Sequence, residues 1–164
     1  MMSNNTDSHD GGCTCGYVRY RMESQPLIVH CCHCSWCQRQ TGSSFVVNAL
    51  IEADRMHLLQ GNVAEVTVPS PSGKGQIISR CPQCQVALWS NYLVTGGCAV
   101  RFVRAGTLDD PSRTPPDVHI YTSSKQPWVT LSPDALVVEE YYITEEVWSK
   151  ESLERRAVLY AARD

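Results

Sequence analysis

Four cysteines fall within seven residues at Cys31-Cys32-His33-Cys34-Ser35-Trp36-Cys37, and two smaller pairs, Cys13/Cys15 and Cys81/Cys84, stand far from them in the chain. Thiolates crowded this closely are ligands for a soft or borderline metal before they are disulfide partners. Zinc takes four tetrahedral donors, and two short turns that each give two sulfurs are a common way for a β domain to build a closed structural site. Cys13-Thr14-Cys15 and Cys81-Pro82-Gln83-Cys84 have that form, so they predict a structural zinc that clamps the start of the chain to its middle. A redox role for Cys81 and Cys84 would need a βαβ setting, which the surrounding pattern lacks. Iron or an iron–sulfur cluster is the chemical alternative to zinc.

In the central run, alternate residues of an extended segment face the same way. Cys32 and Cys34 can therefore meet one metal, joined by Cys37 at the following turn, while Cys31 and His33 point to the other side. Three thiolates leave one tetrahedral position open, which distinguishes a catalytic zinc from a structural one. An incoming thiol or water bound there is activated as its anion. The alternative is that Cys31, His33 or Cys98 fills the fourth place and the site is structural. Cys98, on an expected strand, is read as a buried small hydrophobe. His9, His30, His57 and His119 are read as satisfied or exposed, with His119 alone close to other candidate residues.

The elements that must position these residues are mostly strands. Alternation over Tyr17 to Glu23 and the apolar runs Leu27 to Cys32 and Phe45 to Ile51 predict three of them, with a short helix or turn over Ser35 to Thr41 closed by Gly42. A single helical turn is expected over Asp54 to Leu59. Val63 to Val68, Gln76 to Arg80, Val86 to Tyr92, Cys98 to Ala105 and Val118 to Thr122 supply further strands, with turns at Pro69 to Gly75, Thr95 to Gly97 and Gly106 to Pro111. Many short strands and few helices predict a mainly β domain. The expected organisation is a disordered leader over 1–10, a zinc-binding β domain over 11–135, and a partly helical extension over 136–164 in which Thr144 caps a helix running toward Asp164.

The 164 residues suffice for one domain with a core. Fourteen Lys and Arg against seventeen Asp and Glu give a net charge of −3, so no basic field exists to attract nucleic acid. The polar start of the chain lacks the basic and apolar regions of a signal peptide, and no apolar run is long enough to span a bilayer. A cytoplasmic protein with no membrane partner is expected.

Several motifs taken together resemble the glutathione-dependent formaldehyde-activating enzyme family. They are Gly12-Cys13-Thr14-Cys15-Gly16 with Val18 and Tyr20, Cys32-His33-Cys34-Ser35-Trp36-Cys37-Gln38-Arg39 through Gly42-Ser43, Cys81-Pro82-Gln83-Cys84, Gly106 to Pro111, and His119 with Lys125, Pro127 and Trp128. The resemblance implies an Mss4-like zinc-binding β-sheet (β-tent) fold carrying two zinc ions per chain. Cys13, Cys15, Cys81 and Cys84 would hold the structural ion, and Cys32, Cys34 and Cys37 the catalytic one. The implied activity is carbon–sulfur lyase chemistry, exemplified by formation of S-hydroxymethylglutathione from formaldehyde and glutathione. Arg39, His119 and Lys125 are the candidates to bind a glutathione-type substrate, and Asp109 or Asp110 to move a proton unless the Asp-Asp-Pro turn is structural. The same superfamily contains interaction proteins, so a zinc-stabilised binding module is the rival reading. Gln85 departs from the family pattern, which often has glycine there, and the tail after Val138 lies outside the resemblance.

Overall fold

The computed structural model of the chain describes residues 7–93 and 97–161. Its strands are β1 (His9–Gly12), β2 (Arg19–Met22), β3 (Ile28–Cys32), β4 (Val46–Glu52), β5 (Met56–Gln60), β6 (Ala64–Val68), β7 (Gln76–Arg80), β8 (Ala87–Tyr92), β9 (Val100–Arg104) and β10 (Val118–Ile120). The helices are α1 (Ser35–Thr41), α2 (Thr144–Val147) and α3 (Lys150–Ala161). The strands form a three-stranded sheet, β1-β2-β5, and a seven-stranded sheet, β10-β3-β4-β9-β8-β7-β6. Pairing is antiparallel except between β10 and β3, where His119 lies beside Cys31 and Ile120 beside Cys32.

The middle of the large sheet is buried on both faces, which is why β3 and β4 read as nearly continuous apolar runs, while the edge strand β6 is largely exposed. On one face Val29, Ala49, Ile51 and Val103 pack against Val18, Tyr20 and Met22, the last two from the small sheet. On the other, Ile28, Leu50, Phe102 and Ile120 are covered by Val138, Tyr142, Trp148 and Leu159 from the end of the chain. Residues of opposite parity on β3 thus enter separate cores, and the cysteines follow the same division.

The end of the chain is tied down by polar contacts as well. Val138 N–H donates to the His119 carbonyl (2.9 Å), Ser152 Oγ donates to the Leu27 carbonyl (2.7 Å), and Arg155 Nε donates to Glu52 Oε1 (2.7 Å). Trp148 Nε1 donates to Tyr142 Oη (2.7 Å), and that phenol also hydrogen-bonds His30 Nε2.

Four expectations need correction. His9 and Asp10 belong to β1 rather than to a leader, because Asp10 pairs with Arg21 on β2 (2.6 Å) and His9 is buried against Gln25; residues 1–6 of that leader lie outside the described residues. The segment expected as a helical turn has only a short 3-10 turn, Ala53–Arg55, before β5, whose single buried residue Met56 leaves no alternation to read. Thr144 opens α2 without capping it, and the helix breaks at Trp148 before Ser149 Oγ accepts from Ser152 N–H (3.1 Å) at the start of α3. Cys98 is exposed on a 3-10 turn ahead of β9 rather than buried on a strand. The expected turn at Thr95 and Gly96 and the helix end at 162–164 lie outside the described residues.

Candidate metal centres and the cavity they face

Cys13, Cys15, Cys81 and Cys84 bring all four sulfurs within 4.8 Å of one another. The first pair sits on a turn closed by Gly16 N–H to the Cys13 carbonyl (3.1 Å), with Gly16 in the left-handed region at φ 77°. The second sits on a turn closed by Gln85 N–H to the Cys81 carbonyl (3.0 Å), and Gln85 takes the same left-handed conformation at φ 62°. A glycine would adopt it without steric cost; glutamine tolerates it while its side chain bonds the Pro82 carbonyl (3.0 Å). Sulfur separations of 3.5 Å for Cys13–Cys15 and 3.7 Å for Cys15–Cys81 match the edge of about 3.8 Å expected of a tetrahedron with zinc–sulfur bonds of about 2.3 Å. Backbone N–H groups, first that of Val86, hold the Cys84 thiol down to about 6, ready to serve as an anionic ligand. The residues fit a closed four-thiolate ion.

Cys32, Cys34 and Cys37 form a second group within the same 4.8 Å limit. Cys32 ends β3, and Cys34 is the N-cap of α1, its sulfur accepting from Cys37 N–H (3.3 Å). Gly42 ends that helix at φ 67° and so returns the chain into β4. Hydrogen bonds from Cys32 and then Cys37, joined by backbone N–H groups, hold the Cys34 thiol down to about 2, and the same contacts push Cys32 well up. Three sulfurs this close share their protons as a set, and a cation bound among them would take the place of those protons. Arg104, buried at 7% exposure, places a positive charge nearby, where its field reaches Cys37 and Cys32. Its guanidinium is held by Asn48 Oδ1 and by Gln40 Oε1 (3.1 Å).

Cys31 and His33 face the opposite way, as alternation requires, and meet His119 in a third group of potential ligands. Cys31 Sγ is 3.5 Å from His33 Nε2, which is 3.0 Å from His119 Nδ1. Neither Cys31 nor His33 is therefore available to the Cys32 trio.

The trio opens onto a cavity of about 600 Å³. Its inner wall carries Leu50, Tyr92, Phe102 and Tyr121; its outer wall carries Tyr141, Trp148, Arg156 and Tyr160 from the end of the chain. Tyr121 has a left-handed backbone, φ 54°, immediately after β10. None of Arg39, His119 and Lys125 lines this cavity. His119 is turned away because the parallel register puts Ile120, not His119, on the Cys32 face. Arg39 lies on a surface depression with Trp128, and Lys125 Nζ is occupied by the carbonyls of Gln126 (3.1 Å) and Val129 (2.6 Å). Asp109 pairs with Arg19 (2.8 Å), and Asp110 caps the turn Pro111–Arg113, so both acids of the Asp-Asp-Pro turn are structural.

A sequence profile of the glutathione-dependent formaldehyde-activating enzyme family matches residues 8–124. The chain belongs to this family. A Halomonas elongata protein, named as a candidate glutathione-dependent formaldehyde-activating enzyme, is 29% identical over 132 residues, 74% of this chain and 80% of its own. A solved structure of a Rhodobacter sphaeroides protein aligns with a TM-score of 0.44 at 16% identity, over 63% of this chain and 93% of its own. The two-sheet, cysteine-bearing architecture is that of an Mss4-like β domain. In this formaldehyde-activating family member all three ligand groups lie inside the matched segment, whereas the outer wall of the cavity lies beyond it. Sequence reasoning missed that wall. The signals were Tyr141-Tyr142 and Trp148, aromatic residues spaced too irregularly for an amphipathic helix. It also missed Arg104, which carries no motif of its own within the expected strand Cys98 to Ala105.

Proposed function

We propose that this protein is a zinc-dependent enzyme of carbon–sulfur bond chemistry, joining a small thiol such as glutathione to formaldehyde or cleaving the adduct. Cys13, Cys15, Cys81 and Cys84 would hold a structural zinc, and Cys32, Cys34 and Cys37 a second zinc whose fourth position faces the cavity. Bound there, zinc would supply Lewis acidity that keeps a substrate thiol in its anionic form. The observation that carries this reading is the opening of a three-sulfur cluster onto a 600 Å³ cavity while Cys31 and His33 are committed elsewhere.

The chain's own part is positional and electrostatic. The Arg104 charge favours anionic sulfur at its end of the cavity, and the buried side chains Leu50, Phe102 and Ile120 give the reacting carbon an apolar floor. The substrate S–H bond breaks, a carbon–sulfur bond forms, and the carbonyl oxygen takes the proton. Nine free cysteines suit a reducing compartment such as the cytoplasm.

The test is metal content per chain together with turnover of glutathione and formaldehyde, for the natural protein and Cys34→Ser. Two zinc ions, of which Cys34→Ser loses one along with turnover, support the proposal. An unchanged metal content and rate in that variant would sink it and favour the binding-module alternative.

A further inference from the structure

Formaldehyde is a one-carbon compound and cannot itself cover the apolar wall of the cavity. Beyond the three sulfurs, that wall is built from Leu50, Phe102 and Ile120 on the sheet side and Tyr141, Trp148 and Leu159 on the other. Charge is scarce. The lining contains one cation, Arg156, and one carboxylate, Glu140. Arg156 is already paired with Glu145 (3.1 Å) and stacked over the rings of Trp148 (5.9 Å) and Tyr160 (5.2 Å), and Glu140 accepts from Ser123 Oγ (2.6 Å). An aromatic ring would meet aromatic and aliphatic partners along this wall, whereas the polar lining residues Ser70, Ser72, Gln76, Ser123 and Ser124 are left to the charged ends of the thiol. The tail residues of this wall all follow residue 124, outside the segment that the family profile matches.

We propose that the tail adapts the cavity to a carbonyl partner bearing an aromatic or comparable apolar group, so that the preferred adduct is that of a small thiol with an aryl-substituted aldehyde. This rests on the carbon–sulfur reading above and names its substrate class. The step balances without an oxidant or reductant: the thiol S–H breaks, its sulfur bonds the aldehyde carbon, the C=O π pair moves to oxygen, and oxygen takes the proton. Tyr141 and Trp148 act as specificity residues that touch the ring.

Two measurements on the full-length, zinc-loaded protein decide the matter. Catalysed exchange between glutathione and its hemithioacetal is followed by exchange NMR, with phenylacetaldehyde or formaldehyde as partner. The apolar contact predicts a kcat/KM ratio favouring phenylacetaldehyde on the order of 10- to 100-fold, and Trp148→Ala reduces that ratio at least tenfold. Because Trp148→Ala also removes a packing contact and could fail to fold, binding of S-benzylglutathione and S-methylglutathione to the natural protein is compared by calorimetry. The benzyl compound is expected to bind at least tenfold tighter. Equal or better use of formaldehyde, or equal binding of the two thioethers, overturns the substrate assignment while leaving the chemistry standing. Exchange of neither aldehyde overturns the chemistry, and the thioether comparison still decides what the cavity prefers.

Discussion

Arg155→Met removes an ion pair that helps anchor α3 to the large sheet, together with the donations of Arg155 to the Gln25 carbonyl (3.0 Å) and Ser24 Oγ (3.3 Å). Glu52 is 5% exposed in its side chain and Arg155 12%, and two guanidinium nitrogens meet the two carboxylate oxygens at 2.7 and 2.5 Å. Removing one partner of such a pair leaves an uncompensated buried charge, a loss of about 3–5 kcal/mol. Arg55 remains 3.5 Å from Glu52 but is 45% exposed, and a pair reaching into solvent recovers only about 1 kcal/mol or less. The expected loss is therefore about 3 kcal/mol at pH 7, or a fall in Tm of roughly 6–12 °C for a chain of this size. The pH dependence has a definite sign. Burial pushes the Glu52 carboxyl up, but the Arg155 hydrogen bonds and charge outweigh it and hold the group below its usual range. The pair's contribution is thus complete above the unfolded value of about 4.3 and is lost as pH falls through the depressed folded value. In Arg155→Met burial is opposed only by a backbone hydrogen bond and the weaker Arg55, so Glu52 takes up its proton at a higher pH than in the natural protein and the variant's deficit narrows as pH falls from 7 toward 5. Urea unfolding followed by tryptophan fluorescence at both pH values measures it. A deficit below 1 kcal/mol at pH 7, or one that widens toward pH 5, would refute the assignment of a buried ion pair.

Gln85→Gly relieves the left-handed glutamine at φ 62° and should raise stability by about 1 kcal/mol in the metal-loaded protein, read by urea titration. Cys81→Ser should abolish binding at the four-sulfur site and cost several kcal/mol, because there metal binding is folding energy; metal analysis and circular dichroism of the purified variant read both effects. Tyr142→Phe strips the hydroxyl shared by His30 and Trp148 and should cost about 1–3 kcal/mol, with a change in Trp148 fluorescence as its side chain loses its acceptor.

Much of the placement of the thiols was legible because it depends on strand alternation and short loops. Cys32 and Cys34 share a face, Cys31 and His33 share the other, and the short loops at Cys13 and Cys81 bring each pair of sulfurs together. What could not be read depended on register and on contacts distant in sequence. Which face His119 takes is set by its pairing with Cys31 across a parallel ladder, and a one-residue shift would have placed it in the cavity. β5 escaped notice because four of its five residues are exposed. The outer wall of the cavity escaped because Tyr141, Trp148 and Tyr160 converge through a broken helix whose start is set by Ser149, a cap that an uninterrupted helical reading passes over.

The same contacts that shape the cavity also hold the tail in place, so selectivity and stability are physically coupled in this protein. Trp148 presents one side to the cavity and donates its indole N–H to Tyr142, which in turn satisfies His30 on β3, two residues from Cys32. Opening the wall at Trp148 therefore exposes the apolar face beneath it and takes one of its two hydrogen-bond partners from Tyr142 Oη, the group that satisfies His30. Leu159, by contrast, joins the wall without a hydrogen bond, and replacing it alters shape alone. If the wall selects the carbonyl partner, Leu159→Ala should shift the phenylacetaldehyde-to-formaldehyde ratio with a smaller loss of stability than Trp148→Ala. If the wall only closes the core, the two variants should lose stability in proportion to the apolar area each exposes and leave the ratio where it was.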